Sequence, residues 1–477
     1  MIKSHIERFA AFAASTRETP LPPVVADDTK RTLLDSIGCG LAAVEIPNGR
    51  MGVEYARVLG GSSTDATIVG YREKSSVHGA AFANAELIGA LDMDAIALPG
   101  HVAPYAVPVV LALGETEGCS GPDVMAALAV SHEMSFRFTR AMDQNRDVKD
   151  GKAHTSSVLG YSNVVFGIAA ASGMLKSLDE SQLADTLGIA GSTTPVNAHR
   201  AWLEHVPTTT VKYNLSPGGV VFTGMTAAYL AQLGHRGDKQ ILDDVEYGYP
   251  RFIGTSRWEP SALTTELGVE WRYPVANFFK PYPFCRVPHA VFDGLIEMIR
   301  ANDITPDEIE SLTAYGEGWV GQFATFFNTD IERPYDAQFS FPHGLAMAAH
   351  LVPPGKDWQD PANVYDPSVL KLMDKVVWKS HPDWAAAVSV DPNARPARVE
   401  VVARGTTFVA ERSYAKGSVS PDPSTYMSND EIVAKFLHNA DGVLRTEDAE
   451  WVADRIMHLE DVDDFSAVLD RLRPSDG

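Results

Sequence analysis

A mainly α-helical fold with an inserted α+β domain is what this 477-residue sequence predicts, on three observations. Over roughly the first 270 residues, apolar side chains recur at helical spacing between recognisable cap and stop signals. From about residue 275 the pattern changes to alternating and β-branched runs, "ESLTAYG" and "ARVEVVARGTTFVAERSYAKG", which read as strands. The last fifty residues return to helix in "NDEIVAKFLHNA" and "TEDAEWVADRIMHL". The expected division is a helical part over 1–274, an α+β domain over 275–417, and a C-terminal completion of the helical part over 418–477.

Individual elements carry their own signals. "MIKSHIERFAAFAAS" and "DDTKRTLLDSIGCGLAAVE" space apolar residues as amphipathic helices do. "SGPDVMAALAVSHEMSFRFTRAM" opens on Ser120 as N-cap with Pro122 in the first turn. Ser177 and Glu180 match a capping box, with Gly191 as the stop of that helix. Between these, "SVLGYSNVVFGIAAASGML" reads as a helix whose small residues allow close packing against its neighbours. Within the α+β part, helices are expected at about 288–301 and 338–351, and a hairpin around "ARGTTF". "GSVSPDPSTYMS" is a Ser- and Pro-rich loop.

Composition bounds the partners. Hydrophobic residues make up 45% and charged residues 21%, as in an ordinary globular protein. A formal net charge of −22 argues against nucleic acid or an anionic membrane surface as the main partner. An anionic ligand would then need a local cluster of cations. Three separated cysteines, Cys39, Cys119 and Cys285, form neither a disulfide framework nor a metal spacing, and suit a reducing compartment. The N-terminal segment lacks a signal peptide's apolar stretch, and runs such as "VAPYAVPVVLALG" are too short and proline-broken to span a bilayer. The expectation is a cytoplasmic protein.

Several stretches carry chemistry. "NFFKPYPFCRVPHAVFDG" (277–294) sets Lys280, Arg286 and His289 among prolines and aromatics, where water would solvate them poorly. "DMDAIALPGHVAP" places Asp92 and Asp94 two apart with His101 beyond. A metal site is one reading of those three residues; an Asp-capped turn before a helix at 102–115 is the favoured one. His132, four residues after Leu128 on an apolar face, reads as a core histidine. His154 precedes Thr155 and Ser156, either of which can cap a helix, so it would stand at a positive helix end that favours neutral imidazole. Lys212 precedes Ser216, Pro217, Gly218 and Gly219, a helix start able to receive a carboxylate or phosphate. Beside it Lys212 would add charge or, desolvated among cations, act as a base; taken alone it is a surface lysine. "YGEGWVG" (315–321) fits G-x-G-x-x-G, but no second parallel strand is expected after it, so it reads as a chance match. No G-x-S-x-G, Walker or H-E-x-x-H motif is present.

Taken in order, these segments resemble the MmgE/PrpD family, which includes 2-methylcitrate dehydratase, cis-aconitate decarboxylase and iminodisuccinate epimerase. "FKPYPFCRVPHAVFDG" is similar to the family's Lys-x-Tyr-Pro-x-Cys-Arg-x-x-His signature. "ANAELIGALDMD", "GHVAPYAVPVVLALGE", the "HTSSVLGYSNV" region and "DAQFSFPHGLAMA" resemble other family motifs along nearly the full chain. The resemblance implies a helical domain with an α+β lid, an active site between them, a homodimer, and no metal or organic cofactor. By motif it puts catalytic roles on Asp92, His101, His154, Lys212 and Lys280, with His343 as a further candidate. Arg286, Tyr282 and Ser340 fall to binding a small anionic polycarboxylate.

Two departures bear on the reaction. Ala95 and Ile96 stand where the family carries a second acid and a threonine, and His343 stands where many members have tyrosine. The second counts against cis-aconitate decarboxylation, and the first against plain 2-methylcitrate dehydration in an unaltered pocket. The expectation is a lyase that abstracts a proton α to a carboxylate, with His154 or a lysine as base and His101 protonating the leaving hydroxyl. The alternative is an epimerase using His343 as the second base.

Overall fold

In a computed structural model of the chain, the described residues are 3–97, 100–143, 147–149, 152–154, 163–196, 199–212, 215–274 and 277–474. The helical part is organised around the Pro23–Ala42 helix, buried along most of its length. Val77–Ala90, Ala103–Thr116, Gly121–Ala141 and the late Asn429–Ala440 helix all pack on it. Capping follows local chemistry. Ser4 with Glu7 and Ser120 with Asp123 form reciprocal capping boxes. The cap of Glu180–Ser192 is Asp179 with Gln182, not Ser177. Ser177 instead ends the preceding helix, Val164–Leu175, in a left-handed conformation (φ 56°). Its N–H donates to Met174 O, and that of Leu178 to Gly173 O, which together make a Schellman stop. The small residues of Val164–Leu175 serve close packing: a Cβ on Gly167 would stand 2.5 Å from the Ser131 carbonyl oxygen. The residues that would place a cap at Thr155 or Ser156 lie outside those described.

The C-terminal region carries a four-stranded sheet in the order Thr406–Arg412, Ala397–Ala403, Ile309–Gly316, Val376–Ser380. The first three pair antiparallel and the last parallel, so the strand ending in the glycine motif does have a parallel neighbour. Ala397–Ala403 alternates buried and half-buried residues, as a strand with one covered face must. His289–Ala301 packs against the hairpin strands, and Phe341–Ala349 packs on that helix and on Val376–Ser380. The hairpin turns through Arg404 and Gly405, both at positive φ (54° and 68°), the geometry of a two-residue hairpin turn. No helix among the described residues is long and apolar enough to cross a membrane.

A three-stranded ribbon matters most for function. Ile96–Ala97 lies between Gly100–His101 and Asn277–Phe278, antiparallel to both, with Ile96 opposite His101 and Phe278. It joins the segment just before the Ala103–Thr116 helix to residues 277–278, ahead of the His289–Ala301 helix.

Candidate active site

The ribbon and two helix ends bring five ionisable side chains together. The Val77–Ala90 helix stops just before Asp92, which takes a left-handed backbone (φ 53°) that aspartate tolerates better than most residues. Asp94 lies two residues before the central strand, His101 lies on the strand beside it, and Lys280 follows the third strand by two residues. Register therefore places three of the five. Lys212 arrives from the chain leading into the Pro217–Gln232 helix.

Asp92 is the hub. Its Oδ1 lies 2.7 Å from Lys212 Nζ and 3.3 Å from His101 Nε2, and its Oδ2 lies 2.8 Å from Lys280 Nζ. Lys280 also donates to the Asp92 carbonyl at 2.6 Å, and Lys212 to the Gly89 carbonyl at 3.0 Å. Asp94 takes the other imidazole nitrogen, Nδ1, at 2.6 Å and lies 3.6 Å from Lys212. All five side chains are buried, Asp92 and Lys280 completely. Lys212, which taken alone reads as a surface lysine, is 7% exposed.

Burial and neighbouring charge act in opposite directions here, and the balance differs by residue. Burial alone would raise the Asp92 carboxyl, but Lys212, then Lys280 and His101, outweigh it and hold the group well below the usual carboxylate range. Asp94 is lowered by His101 and Lys212 against the same burial. His101 is pulled down by burial, Asp94 resists, and the two lysines add to the fall. It is therefore neutral near pH 7, with Nδ1–H donated to Asp94 and Nε2 facing Asp92 Oδ1. Burial would lower Lys212, yet Asp92 and Asp94 raise it overall. Lys212 therefore holds its proton beside the two carboxylates.

Of the other candidates, His154 ends the short strand Lys152–His154, paired opposite Asp147, and the helix start expected just after it lies outside the described residues. His343 is buried on the Phe341–Ala349 helix and donates Nε2–H to Val364 O at 3.0 Å; burial lowers its pKa. Ser340 caps that helix by accepting the His343 N–H. Tyr282 gives its hydroxyl to Asp293 at 2.9 Å and stacks edge-on with Phe292 and His289. Arg286 lies over the Phe278 ring and donates to Asn393 Oδ1 at 3.2 Å. In the stretch 277–294, then, Lys280 enters the cluster, while Arg286 reaches the Phe278 ring and Asn393, and His289 packs edge-on to Phe278 and Tyr282.

Two motifs are already filled by the protein itself. At the glycine-rich helix start, the Ser216 hydroxyl and the Gly218 N–H (3.0 Å) both donate to Glu86, so that end holds an internal carboxylate. At the G-x-G-x-x-G segment, buried Glu317 pairs with Arg395 (2.9 Å) and the Trp319 indole (2.6 Å), leaving no cradle for a pyrophosphate. By sequence, Asp94 was raised only as one of three possible metal ligands and Glu86 not at all. The D-x-D spacing signals the first; nothing local signals the second. His132 is the expected core histidine, donating Nδ1–H to Leu128 O, with burial taking its pKa down to about 4.

Asp92, Asp94 and His101 offer ligand atoms within 4.8 Å of one another, the arrangement of a small metal site. Two ammonium groups already hold both Asp92 oxygens, however, so an added cation would meet two positive charges at that carboxylate. The arrangement suits proton transfer beside an anion better than cation binding. Buried acid, imidazole and paired lysines thus lie together where the ribbon brings residues 96–101 against residues 277–278. The MmgE/PrpD N-terminal domain matches residues 7–261 and the MmgE/PrpD C-terminal domain residues 282–459, so the chain belongs to the MmgE/PrpD family. It is 26% identical to the cis-aconitate decarboxylase of Mus musculus, over 99% of this chain and 94% of that protein. The Homo sapiens cis-aconitate decarboxylase is 24% identical over 99% and 95%. A cis-aconitate decarboxylase-like protein, oryM, of Aspergillus oryzae is 26% identical over 54% of each chain.

Proposed function

We propose that this protein is a cofactor-independent lyase acting on a small polycarboxylate, by forming a carbanion next to a carboxylate. The observation that carries this reading is the pair of buried lysines held on one aspartate beside a neutral imidazole. Such a carbanion spreads its charge onto the adjacent carboxylate, where a positioned donor is worth about 3 kcal/mol. Lys280 spends two of its three N–H groups on Asp92, so one remains for a substrate oxygen. Lys212 and Asp92 set the field around it. His101 Nε2 accepts the α-proton, and Asp94 steadies the imidazolium that results, reversing the acid role the sequence suggested for His101.

For a hydroxy acid of the 2-methylcitrate type, the electron pair left on carbon then expels the β-hydroxyl and forms an alkene. His154, a catalytic position by family resemblance, is the proposed source of the proton with which that hydroxyl leaves. The relatives named cis-aconitate decarboxylase favour a second reading, in which carbon dioxide leaves and the same carbanion is protonated. Epimerisation needs a second base, and His343 has its Nε2–H committed to Val364 O, which makes this the weaker alternative. The α+β part as a lid and a homodimeric assembly belong to the same proposal.

Proton NMR in deuterated buffer, with cis-aconitate, citrate-like acids and iminodisuccinate-like acids, separates the readings. A lost α-proton with a new vinyl resonance and no carbon dioxide means dehydration. Carbon dioxide release from cis-aconitate means decarboxylation. Exchange with inversion and no alkene means epimerisation, and no reaction with any acid overturns the polycarboxylate class.

A further inference from the structure

Behind the Asp92–Asp94 turn lies a second buried ion pair that the reaction as written does not use. Lys435, on the Asn429–Ala440 helix, donates to Asp35 Oδ1 at 2.6 Å and to the Met93 carbonyl at 2.9 Å. Asp35, on the Pro23–Ala42 helix, ties that ammonium group to the helical framework. The Lys435 side chain is 10% exposed and that of Asp35 not at all. Lys435, anchored by Asp35, thus holds the carbonyl of the residue between the site aspartates. The side chains of Asp92 and Asp94 meanwhile go to His101, Lys212 and Lys280.

A buried ion pair is weak as a stability device, since well-packed apolar residues of similar volume often do as well. A buried carbonyl at a turn does need a donor, because it would otherwise be left without a partner. Lys435 supplies that donor, and Asp35 holds Lys435 in place. Asp92 also sits in a left-handed conformation, so its carboxylate keeps its direction only if the turn is held from outside.

We propose that Lys435 and Asp35 are positioning residues of the active site: Lys435, anchored by Asp35, grips Met93 O and so aims the two site carboxylates at the lysines and His101. This rests on the reading of the cluster as catalytic. It makes the C-terminal helix part of the active-site framework, across 342 positions of sequence.

The test uses the full chain carrying Lys435→Met, and the double variant Asp35→Asn with Lys435→Met. Three readouts are followed: thermal stability, the His101 Cε1–H resonance (assigned with His101→Gln), and kcat and KM on whichever panel acid the wild type turns over. Lys435→Met is expected to lower Tm, because Asp35 is left buried without its cation. It should also move the His101 resonance and cut kcat ~100-fold with KM little changed, as a misplaced catalytic group does. The double variant removes the stranded charge and should recover Tm, while the His101 resonance and kcat stay perturbed. Wild-type resonance and kcat in a double variant of recovered Tm would overturn the proposal and leave the pair purely structural. If Lys435→Met fails to fold, the double variant decides alone. Full turnover by Lys212→Ala would instead remove the catalytic reading, and the His101 resonance would still report whether the turn is held.

Discussion

Two buried ion networks, one around Asp92 and one around Glu317, differ in how their charges are matched. At Glu317 one carboxylate meets one guanidinium, and an indole takes its second oxygen. Arg395 spends further donors on the carbonyls of Pro392 and Ala394, so the network closes on itself. At Asp92 one carboxylate holds two ammonium groups, while a second carboxylate and an imidazole share the same space. Charges paired one to one hold a fold together. Like charges crowded around a shared partner keep protonation states apart, which is what acid–base chemistry requires.

The largest effect expected from this contrast is on turnover. Lys212→Ala should lower kcat about 1000-fold, at the upper end of what one positioned donor contributes. Circular dichroism should show the fold retained, and near-wild-type turnover would take Lys212 out of the site. Arg395→Met is the mirror experiment: stranding Glu317 should destabilise the protein by about 3–5 kcal/mol in urea unfolding. Its kcat per folded molecule should be unchanged, and a fall would erase the distinction between the two networks.

Histidines sharpen the contrast through pH. His132 donates to a carbonyl, and burial takes its pKa from 6.5 to about 4, so the folded state resists the proton that the unfolded chain accepts. Its contribution is therefore fully present above about pH 6.5 and is lost as pH falls towards 4, ~3 kcal/mol in all. Denaturant titrations over that range should show the loss, and a His132→Gln variant should flatten it. An undiminished slope would mean the protons go elsewhere. His101 is lowered too, but Asp94 opposes its burial, so acid should affect turnover through His101 and stability through His132.

The smallest effect concerns the glycine motif. A Cβ at Gly316 would stand 2.5 Å from the Trp378 ring, so Gly316→Ala should cost about 1–3 kcal/mol in stability with kcat unchanged. Calorimetry and a turnover assay check both halves. An activity loss without destabilisation would give the motif a role that its filled Glu317 pocket denies.

Much of the fold was legible because the signals are local. The Ser120 cap, the Arg404–Gly405 hairpin and the long strand at 309–316 are each decided by a handful of neighbouring residues. The misreadings are instructive in the same terms. Ser177 is a fair cap by residue type, but the Schellman stop of the preceding helix claimed it first. The motif at 315–321 does have a parallel partner strand, supplied sixty residues later by Val376–Ser380 and invisible to a local scan. Of the site, Asp92, His101, Lys212 and Lys280 were named from motif resemblance, and the structure brings those four together.

By itself the sequence determined which residues could carry the chemistry and which segments would be helix or strand, since side-chain type and periodicity act over a few residues. Tertiary structure decided how each group is used. Glu86 fills the helix start at Ser216, Asp293 takes the Tyr282 hydroxyl, and Val364 occupies His343. It also decided protonation: the same burial leaves Asp92 charged and His101 neutral, because lysines from positions 212 and 280 stabilise the anion and oppose a second cation. Charge states follow from desolvation and from neighbours within a few ångströms, and those neighbours are chosen only when the chain has folded.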